Sequence, residues 1–145
     1  MSGRVKVFLD TSVLIAASDA GHERHAESRP LLAAAVPQTC ACGAHSLAET
    51  YANVSIAKGG RQHRPETALR LVEQIAGKMT VVALAPDEYL AALREAAKLR
   101  LAGGTIYDAL LLKCARKVDA ERIYTWNVRH FQLVAPDLAE RIVTP

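Results

Sequence analysis

Aromatic residues are scarce in this chain: two Phe, one Trp and four Tyr make up 5% of 145 residues. Aliphatic side chains and alanine must therefore fill the interior. Half of the sequence is hydrophobic, which is enough for one core in a chain of this length. Cysteine is sparse too, and an odd count of three (Cys40, Cys42, Cys114) excludes the disulfide framework of a small secreted protein. Long apolar runs are missing: none approaches the roughly 18 residues that a membrane helix requires. Arg4 and Lys6 precede an apolar run as in a signal peptide, but Asp10 interrupts it. The expectation is a soluble, cytoplasmic protein with no membrane partner, forming one domain over residues 1–145. Neither sign of charge dominates. A net charge of +3 and a pI near 8.9 permit an anionic partner without requiring one.

Several motifs are also lacking. There is no Gly-x-x-x-x-Gly-Lys-Ser/Thr loop and no Gly-x-Gly-x-x-Gly after a strand, so nucleotide binding has no signal. Asp10-Thr11-Ser12 lacks the second acid of an aspartyl-phosphate hydrolase. Ser12 and Ser46 lack the glycines of a nucleophile elbow. His22-Glu23-x-His25 is one residue short of the His-Glu-x-x-His zinc motif. Cys40-x-Cys42, with His45 nearby, has no second pair to complete a four-ligand zinc site, and reads instead as buried reduced thiols. No internal repeat or low-complexity tract is present.

The pattern that is there alternates strands and helices. Val5–Leu9, Thr39–Cys42, Thr80–Leu84, Arg122–Thr125 and a final Ile142-Val143 read as strands. Helices are expected from about Val13, over Arg24–Ala35, and from Ser46 to about Ala57 with Leu47, Tyr51, Val54 and Ile56 on or near one face. A further helix begins at Pro65, with Ala68, Leu69, Val72 and Ile75 as its apolar stripe. Another begins at Pro86, lined by Leu90, Leu93 and Ala97 and stopped by Gly103-Gly104. The next is capped by Thr105 and runs to about Val118, and a short turn or helix carries Val128–Phe131. Such alternation implies right-handed crossovers and a three-layer α/β/α fold around a parallel sheet of four to five strands. In such sheets, sites collect outside the carboxyl ends of the strands. Asp10 ends the first strand and Asn127 follows the fourth.

Three acids stand at the edges of apolar segments: Asp10, Glu49 and Asp108. Burying an unpaired carboxylate costs several kcal/mol in practice (order of magnitude), so such acids need partners. A hard divalent cation is one. Each acid also has a purely structural explanation: Asp10 as a helix cap, Ser46-x-x-Glu49 and Thr105-x-x-Asp108 as capping boxes. The two explanations are compatible, since a cap can also be a ligand. Thr11 and Thr125 stand where their hydroxyls would fix the acids. Lys58, Arg61, His63 and Arg64 share one glycine-containing loop, and Arg129 follows Asn127. They are either solvated charges or contacts for phosphates around an acidic centre.

Phe8-Leu9-Asp10-Thr11-Ser12-Val13-Leu14, the helical Glu49, Tyr107-Asp108-Ala109-Leu110-Leu111 and Tyr124-Thr125-Trp126-Asn127-Val128-Arg129-His130-Phe131 resemble, in order and spacing, the four signature segments of PIN domains. The length is most similar to the toxin component of VapBC-type toxin–antitoxin pairs. The resemblance implies a Mg²⁺- or Mn²⁺-dependent ribonuclease in which Asp10, Glu49 and Asp108 fill the three main acidic places. Asn127 stands where many members carry a fourth acid; it offers a neutral oxygen and no charge. Dimerisation and inhibition by a small antitoxin are further implications. The missing fourth acid also motivates an alternative, a catalytically weak PIN module that binds RNA or a partner protein.

Overall fold

The computed structural model describes residues 5–56 and 63–145. Its central strand, β1 (Val7–Leu9), buries Phe8 and Leu9 completely, one toward each face of the sheet. β1 pairs in parallel with β2 (Cys40–Gly43) through Val7↔Cys40 and Phe8↔Ala41. On its other side it pairs in parallel with β4 (Arg122–Tyr124) through Phe8↔Ile123 and Leu9↔Tyr124. β3 (Thr80–Val82) lies outside β2 and β5 (Ile142–Val143) outside β4, both parallel. The order is β3-β2-β1-β4-β5.

Parallel neighbours require crossovers, and helices supply them. α1 (Thr11–Ser18) and α2 (His25–Ala33) join β1 to β2; α3 (Ala44–Val54) and α4 (Pro65–Lys78) join β2 to β3. α5 (Pro86–Lys98) and α6 (Thr105–Lys117) join β3 to β4; α7 (Val128–Val134) and a single 3₁₀ turn lead to β5. Leu9, Cys40 and Cys42 pack with Val13 and Leu14 of α1 and Ile75 of α4. Phe8, Ala41 and Ile123 pack on the opposite face with Leu111 and Leu112 of α6 and Phe131 of α7. This is the three-layer parallel architecture expected from the alternation of elements. No described helix is long and apolar enough to cross a membrane.

Some expectations need correction. α1 begins at Thr11 rather than Val13, because Asp10 caps it from the strand end. α3 begins at Ala44, directly after β2, so Ser46 lies inside the helix and is not its cap. Thr105 is the first helical residue of α6 and makes no cap bond. Neither expected capping box forms. On α4 the expected stripe is buried at Ala68, Val72 and Ile75, and Leu69 alone of the four points to solvent. On α5 the stripe is shifted: Leu90 and Leu93 are about half exposed, whereas Ala92 and Ala96 are buried. Small residues face inward on α5, and the larger leucines point to solvent. Tyr51 and Ile56 are likewise exposed.

One glycine sets the approach of a site-bearing helix. A Cβ at Gly43 would stand 2.7 Å from Leu111 Cδ2. Glycine lets α6 pack this closely on the end of β2 without displacing the Leu111 side chain. Leu111 is one helical turn beyond Asp108.

Candidate active site

β1 ends one residue before Asp10, and the backbone there is already tied to its neighbour: Asp10 N donates to the Tyr124 carbonyl at 3.0 Å. The parallel register thus brings the loop after β4 beside the loop after β1. Asp10 is 3% exposed. Its Oδ2 accepts from the Ser12 hydroxyl and from the Thr125 hydroxyl, each at 2.7 Å, and from Ser12 N at 3.4 Å. Burial raises the Asp10 carboxyl above its ordinary value, and these bonds oppose the rise.

Both hydroxyls are themselves held. Ser12 Oγ accepts from Trp126 N at 3.0 Å, and Thr125 Oγ1 accepts from Asn127 N at 3.0 Å. Trp126 is anchored further by its indole N–H, which donates to Ser28 Oγ at 2.8 Å, and by the Arg24 guanidinium 4.6 Å above its ring. The segment 125–127 is therefore bound to the start of α1 and to the first turn of α2. Asn127 is exposed and precedes α7.

Glu49 enters from α3. Thr11 Oγ1 lies 2.9 Å from Glu49 Oε1 and 2.8 Å from Ser46 Oγ. The carboxylate can only accept, so Thr11 gives it its single proton and accepts from Ser46. Adjacent hydroxyls, those of Thr11 and Ser12, thus serve two different acids, Glu49 and Asp10. His45 Nε2 stands 3.8 Å from the same Glu49 oxygen. The expected position of Glu49 near a helix amino terminus is corrected, since it lies in the second turn of α3.

Asp108 occupies the first turn of α6, where the helix dipole favours an anion. Burial and then the Asp10 charge push its carboxyl up to about 6; Glu49 adds to the rise and His130 opposes it. One carboxyl therefore senses both of the other acids, which come from different elements of the same edge. Even so, among the described residues no three His, Cys, Asp or Glu side chains close around a point as a metal cage. Magnesium does not need a dedicated cage. It commonly takes one or two carboxylates and completes its shell with water and phosphate oxygens. The hard oxygens of Asp10, raised in pKa by burial, and of Asp108, raised by burial and then by the Asp10 charge, fit that demand.

Thr11 and Thr125 bond the acids as their hydroxyls allow. The contacts of Ser12, Ser46, His45 and His130 lie beyond what local spacing encodes, except that Ser12 stands two residues past Asp10. Arg64 and Arg129 are exposed, and Lys58 and Arg61 lie outside the described residues. Cys40 and Cys42 are free, buried thiols raised to about 11 and about 12, chiefly by burial, and take no part in the site.

The PIN domain family model matches residues 7–135. Among solved structures, the chain is similar to VapC20 of Mycobacterium tuberculosis, a sarcin–ricin-loop-cleaving toxin. The TM-score is 0.68 at 23% identity, over 84% of this chain and 90% of that one. It is similar also to DNA-bound VapBC from Salmonella typhimurium, with a TM-score of 0.66 at 19% identity over 97% and 98% of the two chains. VapBC2 of Rickettsia felis, bound to a promoter DNA fragment, gives 0.59 at 18% identity, over 89% and 93%. None of the curated proteins matches the chain.

Proposed function

Because the chain belongs to the PIN domain family, we propose that it is a metal-dependent endoribonuclease and the toxin of a type II toxin–antitoxin pair. One observation carries the reading: a buried Asp10, pinned by Ser12 and Thr125, shares its field with Asp108 and Glu49 at the carboxyl edge of a parallel sheet. Acids held this way are poor structural elements and good cation ligands. The VapC and VapBC likenesses support the same reading.

Asp10 and Asp108 would hold Mg²⁺ or Mn²⁺, directly or through water. When bound, the ion supplies Lewis acidity toward phosphate oxygens and a water of lowered pKa. Glu49, fixed by Thr11, ligates or orients the attacking water. Thr125 and Ser12 keep Asp10 in one rotamer, and Arg64 and Arg129 position the RNA backbone. Lys58 and Arg61 are proposed for the same task. Hydrolysis by water attack would leave a 5′-phosphate and a 3′-hydroxyl. Asn127 would add an oxygen without charge, so a second ion would be held weakly.

The partners proposed are an RNA substrate, a cognate antitoxin and a second copy of the chain or a toxin–antitoxin hetero-oligomer. Tyr89, Leu90 and Leu93 give α5 an exposed apolar face suited to protein contact. Total RNA incubated with Mn²⁺ and mapped at its new ends tests the reading. Discrete cuts that vanish with EDTA, with Asp10→Asn and with Asp108→Asn are expected. Cleavage surviving either substitution would overturn the mechanism. RNA binding indifferent to EDTA and without turnover would favour the catalytically weak binding module that Asn127 motivates.

A further inference from the structure

We propose that Tyr107, stacked on His45, is a platform for one nucleobase of a single-stranded substrate beside the acids; this rests on the ribonuclease reading and specifies its substrate. The two rings come from different helices, α6 and α3. Their centroids are 5.0 Å apart and their planes differ by 10°, an offset parallel stack. Each ring is one step from an acid. His45 Nε2 lies 3.8 Å from Glu49 Oε1, four residues along α3, and Tyr107 directly precedes Asp108.

Tyr107 keeps 47% exposure despite the stack. Tyr51 and Tyr89 are exposed as well, so exposure alone does not mark it. Tyr107 is set apart by its stack on a second ring and its place directly before Asp108. An aromatic left half in water next to a phosphodiester-cleaving centre has a flat apolar surface available to a flat partner. Nucleobases have such faces, and they present them only when unstacked from a strand. A duplex keeps its bases covered. The platform therefore selects unpaired RNA and contributes affinity that does not depend on phosphate charge. It is tolerant of base identity, since every base has a π-face. A protein side chain would also cover Tyr107, but a two-ring stack one residue from Asp108 favours a heteroaromatic plane.

The test uses the whole chain, Mn²⁺ and a short single-stranded RNA oligonucleotide containing one mapped cut, with each nucleotide near the cut replaced in turn by an abasic one. Tyr107→Leu should lower kcat/KM by about 5- to 100-fold, whereas Tyr107→Phe should stay within about twofold of the parent. One abasic position should cost the parent a similar factor and cost Tyr107→Leu nothing further. An abasic penalty of equal size in parent and Tyr107→Leu would overturn the proposal. So would full activity of Tyr107→Leu with altered self-association, which would mark Tyr107 as a protein contact. Failure of the parent itself to cut RNA with Mn²⁺ would overturn the ribonuclease reading and this inference with it; Tyr107→Leu cutting like the parent would sink the inference alone.

Discussion

Asp108→Asn should abolish cleavage and yet stabilise the metal-free protein at neutral pH. The Asp108 carboxyl is raised from 3.8 to about 6, by burial first and by Asp10 and Glu49 next. The folded state therefore holds this proton more tightly than the unfolded chain. Its contribution to stability is full below pH 4 and is lost as pH rises through about 6. Above that, the folded protein carries a charge it disfavours. The full displacement corresponds to a ceiling of about 3 kcal/mol. Asp108 is only partly buried, and solvent screening reduces this to about 1–2 kcal/mol. Asparagine keeps the shape and removes the charge. Urea unfolding in EDTA should show Asp108→Asn more stable than the parent by that amount near pH 8, with the difference shrinking toward zero near pH 4. Added Mn²⁺ should stabilise the parent and not the variant. A variant that is equally or less stable at pH 8 (in about the same EDTA buffer), or a difference independent of pH, would refute the claim that like charges crowd at this edge.

Thr125→Val should cost about 1.5–3 kcal/mol in urea unfolding, because it removes a 2.7 Å bond to a buried carboxylate; Thr125→Ser should recover most of the loss. Gly43→Ala should cost about 1–3 kcal/mol by forcing a Cβ against Leu111 Cδ2, and shortening Leu111 to Val in the same chain should return part of it. The thiols of Cys40, Cys42 and Cys114, raised by burial to about 11, about 12 and about 11, should resist a disulfide reagent near neutral pH until urea unfolds the chain. Labelling in the folded state would contradict their burial.

The sheet was legible because both of its faces are covered. Runs such as Val7-Phe8-Leu9 must be apolar at every position, and that leaves a clear trace. The edge carrying Asp10 and Asn127 followed from parallel topology alone. Helix faces were harder to read. The periodicity of Leu90 and Leu93 pointed inward, but the surface packed is that of Ala92 and Ala96, since close helix packing favours the smaller residue. The capping boxes at Ser46 and Thr105 failed for another reason: α3 and α6 start earlier, from Gly43 and Gly104, and leave those hydroxyls inside the helix. Contacts such as Thr11 with Ser46, or His45 with Tyr107, join residues far apart in the chain. No local spacing encodes them.

In the proposed mechanism, Asp10 after β1, Glu49 of α3 and Asp108 of α6 act together on one divalent ion. Titration of Mn²⁺ into the purified protein, followed by calorimetry at neutral and mildly acidic pH, tests it most directly. Binding should weaken as Asp108 takes up its proton below about pH 6 and should be lost in both Asp10→Asn and Asp108→Asn. Binding of the same strength and stoichiometry in either variant would contradict it.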